Sequence, residues 1–512
     1  MVRTKQEQNP SYPEISSRHA IEYTHIMNPI RVIIVLAGFA ALALLAGCQS
    51  LPAPNWRHQN EITCSDFFVE LDARIAKAGV TDAAHARIPG YPFLRSSRFL
   101  ASYKPQSAQQ AWVDALLALG MQDYQLEIQN LDMKQVARTD LLKQTRRCAT
   151  ILRSALDGKQ TGTLQRNIAV ADDYIAWQRA VGLYPLLVPP MAHGIHNWQK
   201  EMRALFHERP RPSVDNKYYR PPSQQRLTPG ELSRIMQNAG DNPLGLPRVS
   251  GSALDKLYQH YAPHWVIETQ DNDDRPGLVQ WSQDGEIEIN PGRPVVYRYS
   301  GYTRLGKQAL LQLNYVIWFP SRPRTSALDM LGGKLDGLVW RVTLATDGRA
   351  LLYDSMHNCG CYHLFFPTTL LIPKPDKSTL AEQAFRPRQQ ALPADSSTMA
   401  IHLTSGAHYI RAILPSAPAP AAAVPYQWED YDSLRSLPVD NGRHKSIFNR
   451  HGLITDTARR ERYIFWPFGI RSPGAMRIKN RHATAFIGRR HFDDADLLER
   501  YFLIPESREL TN

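Results

Sequence analysis

The sequence lacks the short motifs that identify the common enzyme classes. It has no HExxH zinc-protease motif, no GxSxG nucleophile elbow, no P-loop, no glycine-rich dinucleotide fingerprint and no CxxCH haem-attachment motif. Metalloprotease, serine hydrolase, nucleotide-binding and c-type cytochrome assignments therefore lose their usual support. The basic residues are scattered in pairs such as Arg146-Arg147 rather than gathered with aromatics, so we expect no nucleic-acid partner.

An apolar run near the amino terminus is too short to span a membrane. Val32–Ala46 is apolar throughout and follows the basic Arg31, but a spanning helix needs roughly 20 residues, and a shorter run fits the h-region of a signal peptide. Leu45-Ala46-Gly47-Cys48 ends this segment and resembles the lipobox of bacterial lipoproteins. The resemblance implies that residues 1–47 are a signal peptide and that Cys48 carries diacylglycerol and palmitate-type acyl chains.

The segment before this run is a poor start for a signal peptide. Residues 1–26 are long and polar and include three glutamates, whereas Met27 directly precedes a short basic stretch. We therefore predict that translation begins at Met27. In the lipoproteins that this segment resembles, an aspartate after the cysteine commonly retains the protein at the inner membrane. Gln49 therefore implies the periplasmic face of the outer membrane, with residues 48–60 as a lipidated tether.

The chain is basic, and the excess charge belongs to the part that folds. The net charge is +12, and residues 1–47 contribute only four basic and three acidic side chains. A positive field favours anionic partners. At a cell envelope these are phospholipid head groups, lipopolysaccharide phosphates or other acidic polymers.

Cysteines are few, and their number is even once Cys48 is set aside. Cys64, Cys148, Cys359 and Cys361 remain, which in an oxidising envelope suggests disulfides with three possible pairings. The simplest pairing joins Cys64 to Cys148, both in the helical region, and leaves Cys359 to Cys361.

The apolar pattern predicts an α+β fold. Apolar residues recur at helical spacing from about Ser65 to His207 and at alternate positions beyond His264. We expect a helical domain over 61–210 and a β-rich, mainly antiparallel domain over 251–512.

Local signals place several element boundaries. Ser65-Asp66 is expected to cap a helix, and a second helix is expected to stop at Gly120. Asp347-Gly348 and Ser405-Gly406 indicate hairpin turns. Residues 211–250 are expected to form a proline- and arginine-rich boundary, whose first part should hold neither helix nor central strand.

The densest polar cluster alternates histidine and cysteine. His357, Cys359, Cys361 and His363 would share one face of a regular strand. Side chains two residues apart on a strand lie about 7 Å from each other, so they could meet one ion only if the backbone curled, as Gly360 permits. Thiolates with imidazoles suit Zn²⁺ or Cu(I).

Three other interpretations of the cluster stay open. Cys359 and Cys361 could form an easily reduced small-ring disulfide. One cysteine could act as a nucleophile activated by histidine and oriented by Asp354. The cluster could also be a structural staple at the end of a hairpin.

Other histidines favour structural interpretations. His491 precedes Asp493-Asp494, which fits a basic loop leading into an acid-capped helix better than a general base. His193-Gly194-Ile195-His196 lies beside Pro189-Pro190 and is expected to be a packed loop.

Two classes of function follow. The first is a membrane-anchored envelope lipoprotein that binds or scaffolds at the periplasmic face of the outer membrane. The second is a periplasmic metal-binding or thiol-dependent enzyme centred on His357, Cys359, Cys361 and His363.

Overall fold

The computed structural model describes residue 54 and residues 56–503 apart from short gaps. The gaps are residues 106, 169, 171, 209–214, 376–380, 389, 395–397, 416–419 and 440–441. The predicted signal peptide, the alternative start at Met27 and the lipidation site Cys48 lie outside the described residues. The boundaries predicted between domains stay a prediction.

Helices dominate the amino-terminal part of the described chain. They are α1 (Gln59–Lys77), α2 (Arg98–Ser102), α3 (Gln109–Gln129), α4 (Gln135–Ser154), α5 (Gly158–Asn167), α6 (Ala176–Val181), α7 (Tyr184–His207), α8 (Pro229–Gly240), α9 (Gly251–His260), α10 (Arg462–Phe465) and α11 (Leu497–Tyr501). Among these helices, none has both the length and the apolar composition needed to cross a bilayer.

The first helices form a small bundle around an apolar core. Phe68 of α1, Trp112 of α3 and Leu152 of α4 are fully buried in one cluster. A disulfide between Cys64 and Cys148 joins α1 to α4. The predicted pairing of these two cysteines is confirmed.

Helix α1 begins earlier than the sequence predicts. The Glu61 carboxylate accepts hydrogen bonds from the backbone N–H groups of Arg57 and His58 at 2.9 and 3.2 Å. These bonds satisfy donors at the helix start, so Ser65 and Asp66 lie inside the helix. The predicted cap at Ser65-Asp66 is wrong.

Helix α3 continues through Gly120, where the sequence predicts a stop. A Cβ atom at this position would collide with the backbone carbonyl oxygen of Phe93. Gly120 is therefore needed for close packing of the helix on a neighbouring segment and does not end it.

Strands dominate the rest of the described chain. They are β1 (Ala86–Arg87), β2 (Arg95–Ser96), β3 (Asn216–Arg220), β4 (His264–Glu268), β5 (Leu278–Trp281), β6 (Ile287–Asn290), β7 (Val295–Leu305), β8 (Gln308–Arg322), β9 (Gly333–Leu344), β10 (Ala350–His357), β11 (Leu364–Pro367), β12 (Ile372–Pro373), β13 (Met399–Leu403), β14 (Ile410–Pro415), β15 (Val424–Pro425), β16 (Gln427–Asp430), β17 (Leu437–Pro438), β18 (His444–Lys445) and β19 (Phe502–Leu503).

Two larger sheets organise these strands. One has the order β11-β10-β9-β8-β7-β16, and the other has the order β14-β13-β4-β3-β15. Pairing is mainly antiparallel, with parallel joins between β16 and β7, β13 and β4, and β15 and β3. The predicted α+β class with a mainly antiparallel β-rich part is confirmed.

Strand β8 lies at the centre of the larger sheet and is buried on both faces. Its residues Leu311, Leu313 and Tyr315 belong to one apolar cluster, whereas Val316 and Trp318 belong to another. Alternate side chains of a strand point to opposite faces, so the sheet has a core on each side. Turns at Asp347-Gly348 and Ser405-Gly406 join strands as predicted.

Two further local predictions are wrong. The proline-rich stretch does hold a central strand, since β3 lies between β4 and β15 in its sheet; the prolines flank residues 216–220 and do not interrupt the strand. His193 and His196 lie within α7 and not in a loop. This helix continues past Pro189-Pro190 while Trp198 packs against the large apolar core.

Candidate functional site

The predicted His-Cys cluster forms the turn of a hairpin. Strand β10 ends at His357, and its N–H donates to the Cys361 carbonyl at 3.0 Å. Gly360 has φ +94°, and a Cβ there would lie 2.6 Å from the Ala483 carbonyl oxygen. Only glycine fits both conditions readily. We name residues 359–361 the Cys-Gly-Cys turn.

The four candidate ligands do not converge. His357 Nδ1 lies 3.5 Å from an Asp336 carboxylate oxygen, and His363 Nε2 lies 2.9 Å from Asp354 Oδ2. The two imidazoles are therefore paired with two different carboxylates. Within the part of the chain that the structure describes, no group of three or more His, Cys, Asp and Glu side chains could hold a metal ion. The four-ligand Zn or Cu site predicted from the sequence is not assembled there.

A buried chain of acid and imidazole groups begins at His357. Asp336 Oδ2 also lies 2.8 Å from His408 Nδ1. On the other side of the His408 ring, Asp274 Oδ1 lies 3.4 Å from Nε2. Burial alone would raise the pKa of Asp336, but His357 and His408 hold it well below its usual range. Phe319 stacks on the His408 ring at 3.9 Å. Asp274, Asp336 and His408 are far apart in sequence, and no local pattern predicts their meeting.

A second buried network surrounds His363. Arg341 donates from Nε to Asp354 Oδ1 at 2.8 Å and from Nη1 to the Phe492 carbonyl at 2.6 Å. Burial lowers the pKa of His363 to about 4, although Asp354 opposes this shift. His363 is therefore neutral near pH 7. It serves to orient buried groups, and Asp354 does not orient a cysteine as the nucleophile interpretation requires.

Cys359 and Cys361 are free thiols side by side, so the disulfide that the simplest pairing left to them is not formed. The N–H of Cys361 donates to Cys359 Sγ at 3.4 Å, and Cys359 is buried while Cys361 is partly exposed. A hydrogen bond from the Cys361 thiol lowers the pKa of Cys359 and raises that of Cys361. The structure thus distinguishes an acidic sulfur from its neighbour.

The Cys-Gly-Cys turn forms part of the wall of a pocket of about 620 Å³, which we name the apolar pocket. One wall is a face of α7 on which residues recur every three or four positions: Leu187, Met191, Ile195 and Trp198. The lining also contains Ile464, Phe465, Phe468 and Phe486. Sequence reasoning missed this pocket, although the helical spacing on α7 was a usable signal.

Two carboxyl groups of the apolar pocket have raised pKa values. Burial raises the pKa of Glu461 to about 7, against the opposing effect of Arg459. Burial also raises the pKa of Glu382, and Arg490 opposes this shift. Burial thus disfavours the charged form of both groups, and this part of the pocket suits an apolar ligand better than a cation.

Exposed apolar side chains lie beside the pocket. Six of them are between 51% and 70% exposed and form what we name the apolar rim: Trp177, Val181, Leu183, Leu186, Tyr463 and Ile464. Leu186 and Tyr463 are next in sequence to pocket-lining residues. Scattered exposed apolar residues are ordinary, but a group beside an apolar pocket marks an interaction surface.

The remaining candidate histidines have structural surroundings. His491 is buried and lies 3.4 Å from carboxylate oxygens of both Asp172 and Asp494. His193 and His196 are exposed on α7. Comparisons with protein-family models, with curated proteins and with solved structures find no match for the chain.

Proposed function

We propose that this protein is a lipid-anchored envelope protein at the periplasmic face of the outer membrane, and that it binds an acyl chain of a lipid in the apolar pocket. The observation that carries the proposal is the pocket of about 620 Å³ between the apolar face of α7 and the phenylalanines around Phe468. Pockets of roughly 300–1,000 Å³ hold small organic ligands in proteins.

The lining of the pocket supports an acyl chain as the occupant. Each methylene group moved from water into an apolar site contributes about 0.8 kcal/mol. Aromatic and aliphatic side chains surround most of the space, while Glu382 is balanced by Arg490 at 3.6 Å. A flexible hydrocarbon chain gains most from such a site because it needs no hydrogen-bond partner.

The apolar rim and the predicted tether support a membrane as the source of this ligand. Leu186 and Tyr463 of the apolar rim are exposed and lie next in sequence to pocket-lining residues, and apolar groups of this kind gain free energy at a bilayer interface. A lipid on Cys48 would hold the protein at such an interface. The Cys64–Cys148 disulfide fits an oxidising compartment.

Filling the pocket tests the acyl-chain site. Gly194 lies on the pocket face of α7, with no atom within 4 Å of its added Cβ. In Gly194→Leu we expect at least tenfold weaker binding of a fluorescent long-chain fatty acid. The substitution adds helix propensity of up to about 1 kcal/mol, so lost binding would not reflect unfolding.

Gly230→Leu is the matched control. Gly230 also lies in a helix with open space at its Cβ and lines neither this pocket nor the second pocket described below. We expect Gly230→Leu to bind the probe like the unsubstituted protein. Absence of probe binding to the unsubstituted protein, or unchanged binding in Gly194→Leu, would contradict the proposal.

Lipidation is tested separately. We expect radiolabelled palmitate to enter the protein and Cys48→Ala to abolish labelling and to move the protein out of the membrane fraction. Labelling that survives the substitution would refute the anchor while leaving the acyl-chain site intact.

A second candidate function is thiol–disulfide exchange at the Cys-Gly-Cys turn, and the two adjacent free thiols in the pocket wall favour it. The Cys359 thiolate would attack one sulfur of a substrate disulfide and release the other sulfur as a thiolate. Cys361 would then attack the mixed disulfide, closing the Cys359–Cys361 bond and releasing the second thiol. Two electrons pass from the dithiol to the substrate.

An aromatic disulfide reagent tests this chemistry. We expect the unsubstituted protein to release two chromophoric thiolates for each reagent molecule, and Cys361→Ser to stop at a stable mixed disulfide on Cys359. Cys359→Ser should react more slowly, because burial, which also raises the pKa of Cys361, remains in that variant. Equal rates in the two variants would remove this candidate.

A further inference from the structure

The larger sheet carries a second pocket, of about 460 Å³, which we name the polar pocket. Its floor is formed by two pairs of facing residues on β7 and β8, in which Tyr299 pairs with Asn314 and Gly301 pairs with Gln312. It shares no lining residue with the apolar pocket. An inference about this site is therefore independent of the proposed acyl-chain function.

The floor interrupts an otherwise apolar strand face. Leu310, Gln312, Asn314, Val316 and Trp318 alternate along β8, so they point to the same face. All five are buried, yet the two residues at the pocket are polar. Buried amides lower stability unless they find hydrogen-bond partners. Packing alone therefore does not explain the polar side chains of Gln312 and Asn314.

Asn314 presents an unused acceptor. Its Nδ2 donates to the Tyr299 carbonyl at 3.2 Å, which fixes the orientation of the amide. Its Oδ1 has no hydrogen-bond partner among the described residues, although Asn314 is only 2% exposed. A buried carbonyl oxygen in a pocket wall is satisfied by a ligand that brings an O–H or N–H donor.

Gly301 keeps the space above these amides open. It lies inside β7, where glycine weakens a strand and often marks the close approach of a ligand. A Cβ there would lie 3.7 Å from Gln312 Oε1 and 3.8 Å from Asn314 Nδ2. These are ordinary contacts, so a longer side chain would be tolerated locally but would enter the pocket.

The walls combine aromatic rings with charges of both signs. Phe99, Tyr258 and Tyr302 contribute rings, and Arg298, Lys479 and Asp493 contribute charged groups. A phosphate would favour cations alone, and an acyl chain would favour neither sign. A sugar offers hydroxyl donors, hydroxyl acceptors and apolar C–H faces together, and this mixture matches the wall.

We propose that the polar pocket binds a carbohydrate, in the form of one or two units of a neutral glycan chain. Hydroxyl or acetamido N–H groups donate to Asn314 Oδ1, and one sugar face lies over the open backbone at Gly301. Aromatic side chains from the helical bundle and from α9 enclose the ring.

Calorimetric titration of the full chain with a panel of neutral trisaccharides tests this site. The panel holds a trimer of N-acetylglucosamine, maltotriose and cellotriose, and inorganic phosphate is titrated alongside. We expect at least one sugar to bind and phosphate not to bind. Gly301→Leu should weaken sugar binding at least tenfold, whereas Gly230→Leu and Gly194→Leu should leave it unchanged. No sugar binding, or phosphate binding alone, would overturn the proposal.

Hydrogen–deuterium exchange of the unsubstituted protein gives a second measurement that needs no variant. We expect the bound sugar to slow amide exchange in residues 297–303 and 310–316 and to leave α7 unaffected. If Gly301→Leu fails to fold, this protection pattern still decides. Protection confined to other segments would contradict binding in the polar pocket.

Discussion

The apolar pocket and the polar pocket differ in the element that forms their walls and in the polarity of its side chains. One wall of the first is a helix face on which apolar residues recur every three or four positions, so burial of apolar area dominates there. The floor of the second is a strand pair that places Gln312 and Asn314 where the same face is otherwise apolar. The apolar helix wall favours a ligand that buries apolar surface. The polar strand floor favours a ligand that forms directional hydrogen bonds.

The two pockets also depend on different parts of the chain. The polar pocket includes His85, Phe99 and Gln122, which lie in or between the first three helices, whereas the apolar pocket is lined by α7 and later residues, from Leu187 onward. Damage to the amino-terminal bundle should therefore affect one pocket and spare the other.

Removal of the disulfide should separate the pockets most strongly. Cys64→Ser with Cys148→Ser opens a loop of 84 residues between α1 and α4, and loop entropy predicts a loss of about 4 kcal/mol in the free energy of unfolding. We expect sugar binding to weaken and fatty-acid binding to persist below the unfolding temperature. Urea unfolding and both titrations on the same variant check this, and equal weakening of both ligands would break the comparison.

Asn314→Leu should separate binding from stability. The variant removes the unpartnered Oδ1 from the floor and also the hydrogen bond from Nδ2 to the Tyr299 carbonyl, which contributes about 1 kcal/mol. We expect sugar affinity to fall at least tenfold while the free energy of unfolding falls by no more than about 1 kcal/mol. A large loss of stability would show instead that the Asn314 amide is structural.

Glu461→Gln should change stability in a way that depends on pH. Burial raises the pKa of Glu461 to about 7 from an ordinary value near 4.5. The folded state therefore holds a proton that the unfolded state has lost between these values, so Glu461 lowers stability as the pH rises from about 4.5 to 7. The glutamine side chain of the variant cannot ionise, so the variant does not lose this stability as the pH rises.

We thus expect Glu461→Gln to match the unsubstituted protein at pH 4.5 and to melt at a higher temperature at pH 8. Thermal unfolding at the two pH values measures this difference. Gln312→Glu is the counterpart in the polar pocket: it introduces a buried acid there and should produce the opposite sign, with lower stability at pH 8. A constant difference for Glu461→Gln at both pH values would contradict burial as the cause.

Sequence reasoning succeeded where the signal is local. The hairpins at Asp347-Gly348 and Ser405-Gly406 follow from turn chemistry, and the Cys64–Cys148 pair follows from both residues lying in the helical region. It failed at Ser65-Asp66 and at Gly120. A cap needs the orphan N–H groups of one particular turn, and a glycine can serve close packing as well as termination.

The candidate site was predicted only in part. The pattern at residues 357–363 identified a hairpin turn of unusual chemistry but not its partners. Asp336 lies beside His357 and Asp354 beside His363. Much of the remaining lining of the apolar pocket comes from residues 464–486. A periodic pattern shows which face of an element is apolar but not which distant element covers it.

The sequence by itself determined the α+β class and the order of helices before strands, because these depend on spacing and residue type along short stretches. It left three pairings of four cysteines open, and the structure selected Cys64 with Cys148. The tertiary structure alone decided that His357 and His363 bind carboxylates, that Cys359 and Cys361 face an apolar pocket, and that Asn314 keeps a free acceptor. Each of these results depends on which distant residues are brought within hydrogen-bonding distance. In a buried site of low polarity, that neighbourhood sets the charge state and the reactivity of a side chain.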